Sequence, residues 1–348
     1  MTSEPTTPGA SAVPDGVLVS VGETEITFAD VVLAGYITGE WDALVRRCAS
    51  ARRSSAATEV GALELRRAAE RFRRERHLEA GHDLHTWLDE RGLSQADWEA
   101  HLRRHVLTDD ASGPAPRLED LDAEFTSALH TDAYCEGFWS SVGSRVVSWA
   151  VAASLAPAEA DASDLARGRE AVASDPLTPL AAYDPAWIDE RLALVSTWLA
   201  AYRDLDHLVA SDAALRATLE GDWSRWTVLT IDTCALSSES AAREAIACAN
   251  DDAMELAEIA RRAHSRIEQR RVRSGDLSDE LGSLLLSSGL DTALGPLQLG
   301  GDWSVVWVRE RADASLEDPS VRAHATATLV DAAVANAAKG LVTWHAPR

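Results

Sequence analysis

The chain has 348 residues, 46% of them hydrophobic, and a formal net charge of −23 at pH 7. That is enough apolar material for at least one large core and, on length, about two domains. So much negative charge opposes any approach to a phosphate backbone or an anionic lipid surface, which excludes nucleic acid and membrane surfaces as expected partners. No stretch of about 18 apolar residues is available to span a bilayer.

Residues 1–15 are rich in Pro, Ser and Thr and read as a flexible tail. They carry neither a basic n-region nor an apolar h-region, so the expected location is cytoplasmic. Gly16–Val21 reads as a short strand entering a turn, and Thr27 followed by Asp30 is an N-cap signature. The helix after it places Phe28, Val31 and Val32 on one face and ends at Gly39. A second helix runs from Glu40 to about Arg53, and a third from about Thr58 to Arg76 with Leu65, Ala69 and Phe72 inward. A fourth carries Leu84, Trp87 and Leu88 and stops at Gly92. Ser94 with Asp97 caps a fifth, which holds Trp98, Leu102 and Val106.

Thr108–Arg117 is a linker by composition. Two helices follow over Leu118–Leu155, the second with Phe138, Trp139, Val142, Val146, Trp149 and Ala153 on overlapping faces, and Pro157 ends it. After a proline-rich break at 174–186, Ala186–Leu219 reads as one helix with Ile188, Leu192, Val195, Leu199 and Tyr202 spaced for packing.

The block Trp226–Arg311 has a different rhythm. Thr227–Ile231 reads as a strand, Glu239–Asn250 and Met254–Ala260 as helices, and Arg261–Arg273 as a run of six arginines on a solvated face. A helix follows at 278–290, then a hairpin carrying Leu294-Gly295-Pro296 and Gly300-Gly301-Asp302, and a closing strand at Trp303–Val308. Leu316–Pro319 precedes a helix to about Lys339 and a short segment at Leu341–Trp344.

The order of elements in Trp226–Arg311 resembles a parvulin peptidyl-prolyl isomerase domain, and Met254–Ala260 resembles one of that family's helices. The run FRRERHLEAGHDLHTWLDERGLSQADWEAHLRRHVL at 72–107 is similar to the N-terminal chaperone region of SurA/PrsA-type foldases. It also resembles the PpiC-related proteins that act in peptide maturation beside genes for ribosomally made, modified peptides. The resemblance covers about 16–107 and 226–348, and it implies an α+β fold. That fold has a SurA-like helical region at 16–107, a middle helical region at 108–222 and a degenerate parvulin-like antiparallel sheet domain at 223–312. It also has a C-terminal helix and short strand at 313–348 that return to the N-terminal region. Where the family usually carries two ring-binding histidines, this chain has Thr230 and Ser304, so isomerase activity is doubtful. Parvulins also continue through a Gly-rich loop where this chain has its arginine run.

The remaining candidates come from the residues themselves. Met254, Leu285, Leu297 and Trp303 can line an apolar slot or simply form a core. Trp223, Trp226, Trp303 and Trp307 cluster around the strands as peptide contacts or packing. Arg270 and Arg273, within the arginine run, could bind an acidic peptide segment or pair with local carboxylates. His101 and His105 lie four apart on one helix face, the spacing at which two imidazoles share a metal. No third ligand can be named, so they are read as hydrogen-bonded, partly buried histidines, or as the weak catalytic pair of a peptide-modifying enzyme. Cys48, Cys135, Cys234 and Cys248 lack CxxC spacing and read as reduced thiols. No GxSxG elbow, P-loop or GxGxxG occurs. No cofactor or metal is expected.

These readings lead to a cytoplasmic, foldase-like protein that binds a precursor peptide or unfolded polypeptide, presents it to other peptide-modifying enzymes, and lacks prolyl isomerase activity. The alternatives are an active prolyl isomerase and a peptide-modifying enzyme such as a ring-closing, thioether-forming cyclase component.

Overall fold

The structure is a computed structural model that describes residues 13–14, 16–57, 59–78, 80, 82–106, 122–175, 179–251, 254–299 and 302–346. The expected tail apart from Val13 and Pro14, the expected linker at 108–117, and Gly300-Gly301 of the hairpin lie outside the described residues. The chain divides into two compact units, Met1–Leu208 with Ala332–Arg348, and Val209–Asp331.

The first unit begins with a hairpin, β1 (Val17–Val21) and β2 (Thr24–Thr27), turning at Gly22 with φ +59°. Helices α1 (Phe28–Thr38), α2 (Glu40–Ala57), α3 (Ala62–Glu75), α4 (Asp83–Glu90), α5 (Gln95–His105), α6 (Ala123–Cys135), α7 (Phe138–Leu155), α8 (Ala162–Ser174) and α9 (Pro185–Val209) follow. The capping signature at the start of α1 forms as the sequence predicts: Thr27 N donates to Asp30 Oδ2 at 2.7 Å and Asp30 N donates to Thr27 Oγ1 at 3.3 Å. Every residue of α1 from Phe28 to Ile37 is buried, because a helix apolar on all sides must be surrounded. Its neighbours are α2, α7, α8 and the hairpin. The approach of α8 is close enough to demand glycine: a Cβ on Gly168 would lie 2.6 Å from Leu192 Cδ1 and 3.2 Å from Ile37 Cγ1.

Burying α1 also buries a charge. Asp30 is fully buried, and Arg191 on α9 donates to both of its oxygens, at 2.7 and 2.5 Å. A buried carboxylate without such a partner would cost several kcal/mol. At the far end of α1 the phenol of Tyr36 and the indole of Trp41 both donate to buried Asp175. Phe28, Trp41, Phe138 and Trp139 pack around these groups, with edge-on contacts of 5.1 Å between Phe28 and Trp139 and 5.4 Å between Trp41 and Phe138.

The sheet of this unit is completed from the other end of the sequence. Strand β7 (Val342–Trp344) pairs antiparallel with β1, Val19 opposite Trp344 and Val21 opposite Val342, giving the order β2-β1-β7. The expected return of the C-terminal segment to the N-terminal region is therefore present.

The second unit contains α10 (Asp212–Gly221), α11 (Trp223–Trp226), β3 (Val228–Leu236), α12 (Glu239–Asn250), α13 (Leu256–Arg262), β4 (Ile267–Arg273), α14 (Asp279–Ser287), β5 (Ala293–Leu299), β6 (Asp302–Ala312) and the first turns of α15 (Pro319–Ala338). Its sheet is antiparallel throughout, in the order β4-β3-β6-β5. One face packs against α12 and α13 through Cys234, Leu236, Ala245, Ile259, Val305 and Trp307. The other packs against α14 through Leu229, Ile231, Leu285, Val306 and Val308. The molecule is thus α+β and mainly helical, with two small antiparallel sheets.

The sequence reading does not name β2, α8 or α11, and it differs from the structure in two further respects. The single helix expected over 186–219 is broken at Ala210, because Ser211 Oγ accepts from Ala214 N at 3.2 Å and starts α10. The arginine run at 261–273 is not one solvated face: its second half is β4, paired with β3 from Val228–Arg273 to Cys234–Ile267. As an exposed edge strand it needs no apolar face.

Candidate functional site

In the second unit the structure does not bring Thr230 and Ser304 together. Thr230 pairs with Glu310 and its hydroxyl donates to Glu310 Oε2 at 3.3 Å. Ser304 pairs with Ala235, five residues farther along β3, or roughly 17 Å at about 3.4 Å per residue. Side chains alternate along a strand, so an odd separation places the two hydroxyls on opposite faces of the sheet. They cannot flank one carbonyl.

The apolar slot divides in the same way. Leu285 and Leu297 belong to the core beneath α14, whereas Met254, Trp303 and Trp307 belong to the core beneath α12 and α13. Of the four tryptophans, Trp226 and Trp307 are buried, Trp303 is half-buried, and Trp223 is 66% exposed. On the α12–α13 side an apolar cleft of about 260 Å³ stays open between Leu236, Ala241, Ala245, Met254 and Ile259.

The arginines are largely neutralised where they stand. Arg261 and Arg262 pair with Glu258, Arg270 with Glu268, Arg271 with Asp318, and Arg273 with Asp276 while stacking over Trp226 at 5.4 Å. Arg270 and Arg273 are three apart on β4 and face opposite ways. On the same sheet Asp232, which sequence patterning passes over, is buried and accepts from Arg309 Nε at 2.6 Å and Gln269 Nε2 at 3.1 Å. It ties β3 to both of its neighbours.

A buried polar cluster lies in the first unit. Helix α5 starts at a capping box, with Asp97 N donating to Ser94 Oγ and Ser94 N to Asp97 Oδ2 at 3.1 and 3.0 Å. Its inner face, with Trp98 and Leu102 buried, carries His101 and His105 toward α6. There they meet Asp132, which is 0% exposed: His101 Nδ1 lies 2.8 Å from its Oδ1, His105 Nε2 lies 3.0 Å from its Oδ2, and Arg104 Nη2 donates to Oδ1 at 2.7 Å. One turn on, at the C-cap of α6, Glu136 accepts from Arg47 Nε at 2.8 Å. Its other oxygen, Oε1, is buried without a hydrogen-bond donor, 3.6 Å from His105 Nε2.

Burial pushes the His101 imidazole below its ordinary pKa, opposed by its bond to Asp132. Burial pushes Asp132 up, but the hydrogen bonds and charge of the two imidazoles outweigh it and hold the carboxyl well below the usual range. Burial raises Glu136, and burial together with the charge of Asp132 raises the nearby thiols of Cys48 and Cys135 far above the range of a reactive cysteine. The ligating atoms of His101, His105 and Asp132 all lie within 4.8 Å of one another, and this is the group among the described residues that could hold a metal ion. Neither Asp132 nor Glu136 could be named from sequence, because nothing local ties them to α5.

No family model matches the chain, and no curated protein matches it. Two solved structures are similar to it. One is the crystal structure of PrsA from Bacillus subtilis, 12% identical, covering 62% of this chain and 86% of that one with a TM-score of 0.23. The other comes from the Campylobacter jejuni pair PEB4 and Cj1289, described as structurally related SurA-like chaperones. It is 10% identical, covering 95% of this chain and 99% of that one with a TM-score of 0.18. At such scores no residue of this chain is equated with a residue of either protein.

Proposed function

We propose that this protein binds an extended segment of polypeptide and presents it to other enzymes during maturation of a ribosomally made, modified peptide, without isomerising prolyl bonds. The observation that supports binding is the apolar cleft of about 260 Å³ between α12, α13 and the end of β3, rimmed by Glu244 and Arg262. It is smaller than the usual 300–1,000 Å³ of a small-molecule pocket, and it suits one or two aliphatic side chains of a peptide. In the same unit β4 is an edge strand, and among the described residues no strand pairs with its outer side, so its main chain is available for strand addition.

Isomerisation must lower a barrier of about 18–20 kcal/mol by holding an amide twisted and desolvated. The parvulins that the chain resembles add polar groups around the carbonyl. Thr230 and Ser304, on opposite faces, do not supply them, and among the described residues no strand of this sheet carries histidine. The four cysteines are free thiols, which suits a reducing compartment, and the cytoplasm is the proposed location.

Two assays test this reading. Permanently unfolded, carboxymethylated α-lactalbumin, fluorescently labelled, is expected to bind the full chain, and Ala241→Trp, which fills the cleft, is expected to weaken that binding about tenfold, or about 1.4 kcal/mol. Binding unchanged by Ala241→Trp would remove the cleft from the proposal. In a protease-coupled assay with a chromogenic X-Pro tetrapeptide the rate is expected to equal background, and turnover well above background would overturn the non-isomerase part.

A further inference from the structure

We propose that His101, His105 and Asp132, closed by Glu136, form a binding site for one divalent transition-metal ion of the zinc type, which staples α5 to α6. The site lies in the first unit and does not depend on the peptide-binding reading. Helix α5 contributes His101 and His105, one turn apart, and facing them are Asp132 on α6 and Glu136 at the C-cap of α6. Two imidazoles with two carboxylates form a donor set that suits zinc and disfavours magnesium or calcium, which prefer oxygen alone.

The distances leave a small adjustment. Tetrahedral bonds of about 2.0–2.1 Å require ligand atoms about 3.3–3.4 Å apart, and here those of His101, His105 and Asp132 lie within 4.8 Å of one another, with the two imidazole–Asp132 contacts at 2.8 and 3.0 Å. An ion entering between them takes the place of the imidazole protons, which move to the other ring nitrogens.

A second observation points the same way. Glu136 Oε1 is a buried acceptor with no donor, 3.6 Å from His105 Nε2, and a buried orphan of this kind calls for an ion or water beside it. Arg47 holds the other oxygen of Glu136, as outer partners of metal-binding carboxylates do.

The entry path runs past Arg104. Its guanidinium holds Asp132 Oδ1 and also lines a cleft of about 490 Å³ with Arg52, Glu59, Ala100 and Glu124. The ion displaces it, and the guanidinium swings outward toward Glu59 and Glu124.

The test uses the full chain, stripped with a chelator and titrated with cobalt(II). The expected result is uptake of a single equivalent with the visible bands of a four-coordinate nitrogen–oxygen site, displaced by zinc(II). His105→Gln is expected to weaken binding by at least about tenfold, with its far-ultraviolet circular dichroism unchanged, whereas His82→Gln, at an exposed histidine, binds as wild type does. Zinc should raise the melting temperature of the wild type and not of His105→Gln. Absence of stoichiometric cobalt or zinc uptake by the wild type at micromolar concentration overturns the proposal, as does tight binding by both His105→Gln and His101→Gln. Should His101→Gln fail to fold, the wild-type cobalt spectrum and His105→Gln decide the matter.

Discussion

Asp132 and His101 both make the stability of the first unit depend on pH. In the folded chain the pKa of Asp132 is held below the ordinary value, and that of His101 is lowered as well. Both groups bind protons less readily when folded than when unfolded, so both favour the unfolded state as pH falls. His101 begins to lose its contribution below the unfolded histidine value of about 6.5, and Asp132 below the unfolded aspartate value of about 3.9. The melting temperature of the apoprotein is therefore expected to fall between pH 7 and pH 5, and the slope should be shallower for His101→Gln. Equal slopes over that range would show that this imidazole does not titrate with unfolding. The sequence reading saw the histidine pair from its four-residue spacing but not the carboxylate between them. Asp132 lies 31 residues from His101, beyond a stretch with no packing pattern of its own.

At the level of elements, what was legible followed from local chemistry. The Thr27–Asp30 and Ser94–Asp97 boxes start α1 and α5 because each cap satisfies main-chain N–H groups three residues away. Strand β4 escaped recognition because an edge strand carries charge on both faces and shows no alternation. Thr230 and Ser304 were singled out by the resemblance, which says nothing about the side of the sheet on which each falls in this chain. Helix α8 shows a third limit, since its glycine reads as a weak helix residue and only the approach of Leu192 and Ile37 explains it. Gly168→Val is expected to cost about 1–3 kcal/mol in chemical denaturation, since the added carbons must push α8 away from both neighbours. A loss under a few tenths would mean that the contact relaxes freely.

For the whole molecule, the division into residues 209–331 and the remainder gives each unit its own core. Calorimetry on the full chain is expected to show two transitions, and the van't Hoff enthalpy of each should be smaller than the total calorimetric enthalpy. One symmetric transition with equal enthalpies would contradict independent cooperativity. Of this architecture, the α+β character was legible in the change of rhythm at Trp226, whereas the return of the C-terminal segment was implied only by the resemblance to the foldases.

The pairing of β7 with β1 has a consequence for biosynthesis. As the polypeptide leaves the ribosome, Val17–Val21 can form its hairpin at once, but the strand that lies on its other edge is made only after all of residues 209–331. The second unit can acquire its shape while translation continues, whereas the first keeps an open edge until the last helix has emerged, and it is then closed by three residues.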